Sequence, residues 1–186
     1  MKRGDVIIFP TDTIYGIGCK LYDKSALDKI FTIKKRDPEK HIPILIGQII
    51  DLIPIAKYDF NTLRVMQTFW PGPLTIVLET TIDFYEKTGE DTIAVRIPNH
   101  DLALELISKN GPLRTTSVNI SGQAPLNTYL EVNEQFGKKV TKVYGEHVED
   151  YIGVASTVVD ATIPGNLKLI REGAISFDDI LDVYEQ

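Results

Sequence analysis

The fold is decided by FPTDTIYGIG, Phe9–Gly18. The apolar run Val6–Phe9 predicts a buried strand, and Pro10 ends it because proline has no amide hydrogen to give to a sheet. Three hydroxyl side chains follow, namely Thr11, Thr13 and Tyr15. Loops just past strand ends often hold ligands in α/β proteins, but proline, aspartate and glycine are also ordinary turn formers. Taken alone, the segment favours a turn.

The second informative segment is the cationic cluster KKRDPEK, Lys34–Lys40. Asp23 as an N-cap and an apolar stripe ending at Ile33 predict a helix that runs into this cluster. Cations at the end of a helix complement the helix dipole, and such a run usually forms a solvated charged face. The alternative is a clamp for a polyphosphate, in which arginine supplies a fork of donors and lysine a point charge.

The third segment is TTSVNISG, Thr115–Gly122, which continues a predicted strand. Ser117 and Asn119 are two residues apart on an extended chain, so their side chains share one face. These side chains could donate hydrogen bonds to phosphate oxygens, or they could cap the turn that follows. Together, the three segments predict one pocket for an anionic substrate beside a small polar one.

A single arginine, Arg96, lies inside the apolar, strand-like sequence AVRIP. Unpaired buried charge is unfavourable, so an arginine at this position needs a partner. It either forms a salt bridge across the sheet or faces the pocket and holds a carboxylate through two hydrogen bonds. We favour the second interpretation.

The composition is that of an ordinary soluble globular protein. The chain has 186 residues, 43% of them apolar and 25% charged, which suits one domain over residues 1–186. The net charge of −6 argues against strong general binding to nucleic acid, which relies on neutralising phosphates, although a local basic patch remains compatible with it. The one cysteine, Cys19, excludes an intrachain disulfide and predicts a small packed thiol. No apolar run suits a signal peptide or a membrane span, so we expect a cytoplasmic protein without a membrane partner.

Familiar catalytic motifs do not occur in the sequence. It contains no GxxxxGK[ST], no GxGxxG and no GxSxG pattern. Its histidines are too dispersed to indicate a metal site; they are His41, His100 and His147. A nucleotide enzyme with this sequence would therefore need a phosphate site of another kind.

Strand and helix patterns are intermixed along the chain, without a clean alternation. This order predicts an α/β fold with a mixed parallel and antiparallel sheet, rather than a purely parallel one. The predicted strands are Val6–Phe9, Ile42–Ile46, Leu74–Glu79, Thr92–Ile97, Leu113–Val118, Ser156–Asp160 and Leu167–Ile170. The predicted helices are one after Asp23 that reaches Lys34, then Phe60–Phe69, Leu102–Ile107, Tyr129–Phe136, and Phe177–Tyr184 capped by Ser176.

Further segments join these three in a fixed order: WPGPLTIVL at Trp70–Leu78, AVRIPNH around Arg96, and ASTVVD through IREGAI near the end. In that order the chain resembles the YrdC/TsaC family, the threonylcarbamoyl-AMP synthases, in its short single-domain form. The resemblance runs from Val6 to Ile175, and the joint order of the segments is more specific than any one of them. It implies a YrdC-like fold, in which helices flank a twisted mixed sheet around a concave pocket.

The resemblance also implies a chemistry. L-threonine, bicarbonate and ATP, with Mg²⁺, would give threonylcarbamoyl-AMP and pyrophosphate. Downstream tRNA threonylcarbamoyl-transfer proteins would use the product to modify an adenosine beside the anticodon. No organic cofactor is implied, and no side chain is assigned as a metal ligand.

Site residues follow from the same resemblance, position by position. The L-threonine contacts are Thr13, Arg96, Thr115 and Ser156. The ATP contacts are Lys34, Arg36, Lys40, Thr92, Ser117, Asn119 and Arg171. Lys34 and Arg36 are the catalytic candidates, since they would stabilise charge at the reacting phosphate.

The chain departs from the family pattern in three respects. Many relatives begin with an extra N-terminal helix, whereas this sequence starts almost at its first strand. Long relatives add a linker and a second C-terminal domain, for which this sequence has no room. Some relatives place a histidine near threonine where this sequence has Leu45.

Two alternative functions stay open on the sequence. One is a non-catalytic protein that binds double-stranded RNA or the ribosome through the same fold, and even the enzyme could bind RNA weakly. The other is a relative that adenylylates a different carbamate. The first predicts tight, salt-sensitive RNA binding without turnover, and the second predicts activity that does not depend on threonine.

Overall fold

The computed structural model describes residues 1–146 and 154–186, so His147 lies outside the described residues. The strands in this part are β1 (Ile7–Phe9), β2 (Gly16–Lys20), β3 (Ile44–Leu45), β4 (Leu74–Glu79), β5 (Thr92–Arg96), β6 (Leu113–Ser117), β7 (Lys142–Val143), β8 (Thr157–Ile163) and β9 (Asn166–Arg171). The α-helices are α1 (Lys24–Lys34), α2 (Phe60–Phe69), α3 (Ile82–Thr88), α4 (Asp101–Asn110), α5 (Tyr129–Phe136) and α6 (Phe177–Tyr184). Two short 3₁₀ helices cover Ile49–Leu52 and Gly137–Lys139.

All nine of these strands form one sheet, in the order β7-β1-β2-β6-β3-β5-β4-β8-β9. The pairs β1–β7, β3–β5 and β4–β8 are parallel, and the other neighbours are antiparallel. The predicted mixed sheet is therefore confirmed. Because consecutive strands are often not neighbours, segments far apart in sequence meet on the same face.

Capping residues explain where several helices begin. The Asp23 carboxylate accepts a hydrogen bond from the amide of Ala26, and the Ser176 hydroxyl accepts one from the amide of Asp179. Such caps satisfy amides that have no partner inside the helix. Both predicted caps are confirmed, and α2, α5 and α6 have their predicted bounds.

Strand β2 was not predicted from the sequence. Gly16–Lys20 pairs with β1 on one side and β6 on the other. A Cβ atom on Gly18 would lie only 2.8 Å from the carbonyl oxygen of Arg114. Because β6 approaches so closely, this position favours glycine over any residue with a side chain. Helix α3 was also missed, because it has only seven residues and buries only Phe84.

The apolar core lies on both sides of the sheet. Its largest cluster contains Ile76, Val95 and Val159 from β4, β5 and β8, packed with Met66 of α2 and Ile180 of α6. Cys19 is fully buried, as predicted for a packed thiol, and burial raises its pKa to about 12. Within the described residues, no helix is long and apolar enough to cross a membrane.

Candidate functional site

A concave cavity of about 310 Å³ opens over one face of the sheet, a size typical of small-ligand pockets. Residues from seven strands and three loops line it: Thr11, Thr13, Ile14, Tyr15, Gly16, Arg36, Pro43, Leu45, Thr75, Ala94, Arg96, Thr115, Thr116, Ser117, Ala155, Ser156, Val158 and Arg171. The sheet order brings these distant segments together, and the hydroxyl-rich segment after β1 is one wall, as its sequence suggested.

Arg96 lies in this cavity at the end of β5, and its side chain is only 7% exposed. Its Nε donates to the carbonyl oxygen of Gly72 at 2.9 Å, and its Nη1 donates to the hydroxyl of Thr13 at 2.8 Å. Its Nη2 forms an ion pair with Asp12. Burial lowers the pKa of Arg96, and the Asp12 carboxylate acts in the opposite direction. Arg96 therefore makes a salt bridge, with a turn residue rather than across the sheet, and it also lines the pocket. Its binding of a substrate carboxylate stays a prediction.

Thr11 shapes the turn that presents these partners. Its hydroxyl donates to the carbonyl oxygen of Ile14 at 2.7 Å and accepts from the amides of Thr13 and Ile14. The Thr11 and Thr13 hydroxyls are also hydrogen-bonded to each other, at 3.0 Å. A threonine hydroxyl that bonds backbone groups two and three residues ahead closes a tight turn. The turn and the wall of the pocket are therefore the same structure.

The opposite wall is formed where β8 begins. The Ser156 hydroxyl is hydrogen-bonded to that of Thr75 at 2.9 Å, and the Ser156 carbonyl oxygen accepts from Arg171 Nη2 at 2.8 Å. Thr115 lines the cavity from β6, and its hydroxyl donates to the carbonyl oxygen of Leu113 at 3.3 Å. Hydroxyls in this arrangement can accept or donate toward a polar ligand.

A second cavity of about 280 Å³ adjoins the first, since Arg36 and Ser117 line both. The cationic cluster predicted from the sequence surrounds it, together with the segment after β6. Its lining residues are Lys34, Lys35, Arg36, Asp37, Lys40, Ser117, Asn119, Ser121 and Gly122. The two cavities therefore give a small polar compartment next to a cationic one.

Lys34 is nearly fully buried and connects the end of α1 to the segment after β6. Its Nζ donates to the carbonyl oxygens of Ser117 and Asn119 and to Asn119 Oδ1, the last two at 2.9 and 2.8 Å. An ammonium group has three hydrogens, so these three acceptors use all of them. Burial, with a smaller effect from Arg36, lowers the Lys34 pKa to about 8. Lys34 therefore holds Ser117 and Asn119, which line the cationic cavity, against the end of α1.

Arg36, by contrast, keeps donors available. Its Nε and Nη2 donate to the carbonyl oxygens of Lys40 and His41, at 3.1 and 3.0 Å. Two of the five guanidinium N–H groups are thus used, and three remain. Because Arg36 lines both cavities, a phosphate at their junction would lie within its reach.

The structure brings together all but one of the site residues expected from the sequence. Thr92 stands apart, because it begins β5 whereas Arg96 ends it, and it lines a separate surface depression with Lys57, Glu79 and Tyr85. Leu45, the position at which the resemblance implies a histidine in some relatives, lines the main cavity.

Three residues that contribute to the site were not singled out from the sequence: Asp12, Thr75 and Thr157. Asp12 resembles an ordinary turn residue between two threonines. Thr75 and Thr157 are β-branched residues in strands, where threonine is common for its backbone preference alone. Only the tertiary structure shows that Thr75 lines the cavity, that Asp12 pairs with Arg96 and that Thr157 supports the segment after Arg171.

The described residues contain no group of three or more histidine, cysteine, aspartate or glutamate side chains that could hold a metal ion. The arrangement instead offers guanidinium and ammonium groups beside hydroxyls, which suits an anion with phosphate or carboxylate groups.

Comparisons with known proteins agree with this geometry. The Sua5/YciO/YrdC family model, described as "Telomere recombination", matches residues 1–173. The threonylcarbamoyl-AMP synthase of Pyrococcus abyssi is 34% identical over 97% of this chain and 54% of its own length. A putative threonylcarbamoyl-AMP synthase of Mycobacterium tuberculosis is 30% identical over 98% of this chain and 85% of its own. The crystal structure of P. abyssi Sua5 complexed with L-threonine is similar with a TM-score of 0.87 and 35% identity, over 97% of this chain and 54% of that one. The chain thus spans about half the length of the P. abyssi protein.

Proposed function

Because the chain belongs to the Sua5/YciO/YrdC family, we propose that it makes threonylcarbamoyl-AMP from L-threonine, bicarbonate and ATP. One observation carries the proposal: a compartment built around Arg96 and a cationic compartment meet at Arg36 and Ser117. An amino acid in the first compartment and a nucleoside triphosphate in the second would have their reacting groups adjacent. The name of the P. abyssi relative and its complex with L-threonine support this assignment.

The substrates divide between the compartments by charge. Arg96 would hold the threonine carboxylate, with Thr13, Thr115 and Ser156 around the rest of the amino acid. Arg36, Lys40, Ser117 and Asn119 would surround the phosphates, with Lys34 ordering that side. Arg171 would contact ATP from the first cavity, which it lines. Thr92 is left out of the ATP contacts, because it lies in another depression.

The reaction then needs no covalent enzyme intermediate. The neutral threonine amine and bicarbonate, by way of carbon dioxide, form a carbamate and release water, and one carbamate oxygen attacks the α-phosphorus. The bond from that phosphorus to the β-phosphate oxygen breaks, and pyrophosphate leaves with the bonding electrons. The protein holds the two substrates in line and stabilises the charge that develops on the phosphate. Arg36 suits the second role, because three of its N–H groups have no hydrogen-bond partner among the described residues.

Mg²⁺ would enter as part of the substrate MgATP. Mg²⁺ keeps several waters and commonly binds through substrate phosphates with few protein ligands. That behaviour fits the cationic lining of the phosphate compartment and the absence of an acidic cluster among residues 1–146 and 154–186. A tRNA threonylcarbamoyl-transfer protein would then consume the product.

The test is pyrophosphate release from MgATP and bicarbonate, with and without L-threonine. We expect threonine-dependent release and a product with the mass of threonylcarbamoyl-AMP. Serine and valine serve as matched controls, since each lacks one part of the threonine side chain. Release that is independent of threonine would instead favour a synthase that acts on another carbamate, and no release from folded protein would contradict the proposal.

A further inference from the structure

The chain contains two buried arginine–carboxylate ion pairs in its described part, and one of them lies at the substrate pocket. Arg96 pairs with Asp12, with side chains 7% and 13% exposed. Arg114 pairs with Glu90, with side chains 2% and 12% exposed. The two pairs are alike in chemistry and burial, but only Arg96 lines the cavity.

The hydrogen bonds of Arg96 fix what the guanidinium can still do. Of its five N–H groups, Nε donates to Gly72, one on Nη1 donates to Thr13, and one on Nη2 donates to Asp12. Two N–H groups remain, one on each terminal nitrogen. A carboxylate can accept two hydrogen bonds from an arginine, so the remaining groups suffice for a substrate carboxylate without displacing Asp12.

Asp12 itself is not among the residues that line the cavity. It lies between Thr11 and Thr13, in the turn that the Thr11 hydroxyl closes. The turn therefore fixes the backbone around Asp12, and the Asp12 carboxylate contacts the site through its ion pair with Arg96. Within the described residues it is the one acidic side chain that forms an ion pair with Arg96.

We propose that Asp12 is a positioning residue, which holds one terminal nitrogen of Arg96 so that the two remaining N–H groups stay directed at the substrate carboxylate. This inference rests on the proposed function. The ion pair also compensates the charge of a guanidinium that is buried in the wall of the pocket. The competing possibility is that Asp12 acts as a rival anion, in which case its removal would strengthen substrate binding.

The experiment measures kcat/KM for threonine from initial rates of pyrophosphate release, a slope that stays measurable when binding is weak. Asp12→Ala should lower it by about tenfold or more, while the ATP KM changes by less than about twofold. Asp12→Asn keeps an acceptor but loses the charge, and we expect an intermediate loss. Glu90→Gln is the control matched to Asp12→Asn: it removes the charge from the other buried pair and should reduce the melting temperature without changing kcat/KM for threonine.

A double-mutant cycle separates positioning from a general structural effect. In the Arg96→Ala background, the further change Asp12→Ala should alter kcat/KM for threonine by less than about twofold, because its route to the substrate is gone. Additive losses, an unchanged value in Asp12→Ala, or a higher value in Asp12→Asn would each overturn the inference alone. Wild-type protein that shows no threonine dependence would overturn the proposed function, and this inference with it.

Discussion

Arg96 shows how one side chain can serve both the fold and the site. Strand β5 carries it into the pocket, and the loop before β4 and the turn after β1 supply the oxygen atoms that accept its hydrogen bonds. A charged residue in an apolar strand is explained by those partners, because each buried donor that they satisfy reduces the desolvation penalty.

Arg96→Ala should therefore raise the threonine KM while leaving the ATP KM nearly unchanged. Loss of a buried charge-assisted contact typically costs about 2–5 kcal/mol, part of it from disruption of the surroundings. Steady-state kinetics with each substrate varied in turn would measure the effect, with the exposed Arg3→Ala as control. An unchanged threonine KM in a folded variant would remove Arg96 from the carboxylate site.

Lys34 gives a prediction that depends on pH. Burial lowers its pKa from 10.5 to about 8, so between these values the unfolded chain binds a proton that the folded protein has released. The contribution of Lys34 to the free energy of unfolding should then rise as the pH increases through this window. Below pH 8 Lys34 is charged in the folded protein, so the desolvation penalty of its buried ammonium group is largest there.

Denaturant unfolding of wild type and Lys34→Met at pH 7.5 and pH 9.5 would measure this dependence. Other groups cancel in the comparison, so we expect the wild type to gain more stability than the variant on going to pH 9.5. Equal changes in the two proteins would mean that the Lys34 pKa is not lowered.

Arg36→Ala, which removes a side chain with free donors, should instead weaken ATP binding at both pH values.

Among the elements, the connection from β9 to α6 depends on one hydroxyl. The buried Thr157 Oγ1, at the start of β8, accepts from the amides of Gly173 and Ile175 at 2.9 and 3.1 Å, and donates to the Ile175 carbonyl oxygen. A Cβ atom at Gly173 would lie 2.1 Å from the Ala155 carbonyl oxygen, so the backbones of the two segments are in direct contact. This contact holds the segment that follows Arg171 against the wall of the pocket.

Thr157→Val keeps the shape of the side chain but leaves two buried amides without an acceptor. We expect a loss of about 1–3 kcal/mol in the free energy of unfolding, together with a raised ATP KM if Arg171 contacts ATP. Thr157→Ser, which keeps the hydroxyl, should lose less. Thr162→Val is a control in the same strand, because that hydroxyl contacts only Asp160. Equal stability of Thr157→Val and wild type would show that the hydroxyl does not hold this connection.

At the scale of the whole molecule, the charge distribution bears on nucleic acid binding. The net charge is −6, and the cationic side chains of the site are largely directed into a cavity or onto backbone oxygens. A general RNA-binding surface needs basic side chains that reach phosphates from outside.

We therefore expect RNA binding to be weak, with a Kd of about 10⁻⁵ M or weaker at physiological salt. Fluorescence titration of a short RNA duplex at two salt concentrations would measure it, with duplex DNA as control. Tight binding that weakens steeply with salt, in protein without threonine-dependent turnover, would favour the RNA-binding alternative.

The sequence by itself determined the local elements and the kinds of residues in the site. The caps of α1 and α6 and the bounds of α2, α5, α6 and β4 depend on neighbours a few residues away, so short-range patterns predict them. Strand β2 was not predicted, because its glycines are explained only by the close approach of β6.

The tertiary structure alone decided which of these residues meet. Lys34 contacts Ser117 and Asn119, more than 80 positions away, and Asp12 lies 84 positions from Arg96. The same strand order placed Thr92 outside the cavity and brought Thr75 and Ser156 together across β4 and β8. Such pairs depend on the register of the whole sheet, which short-range periodicity does not encode, because each strand pattern is compatible with many neighbours.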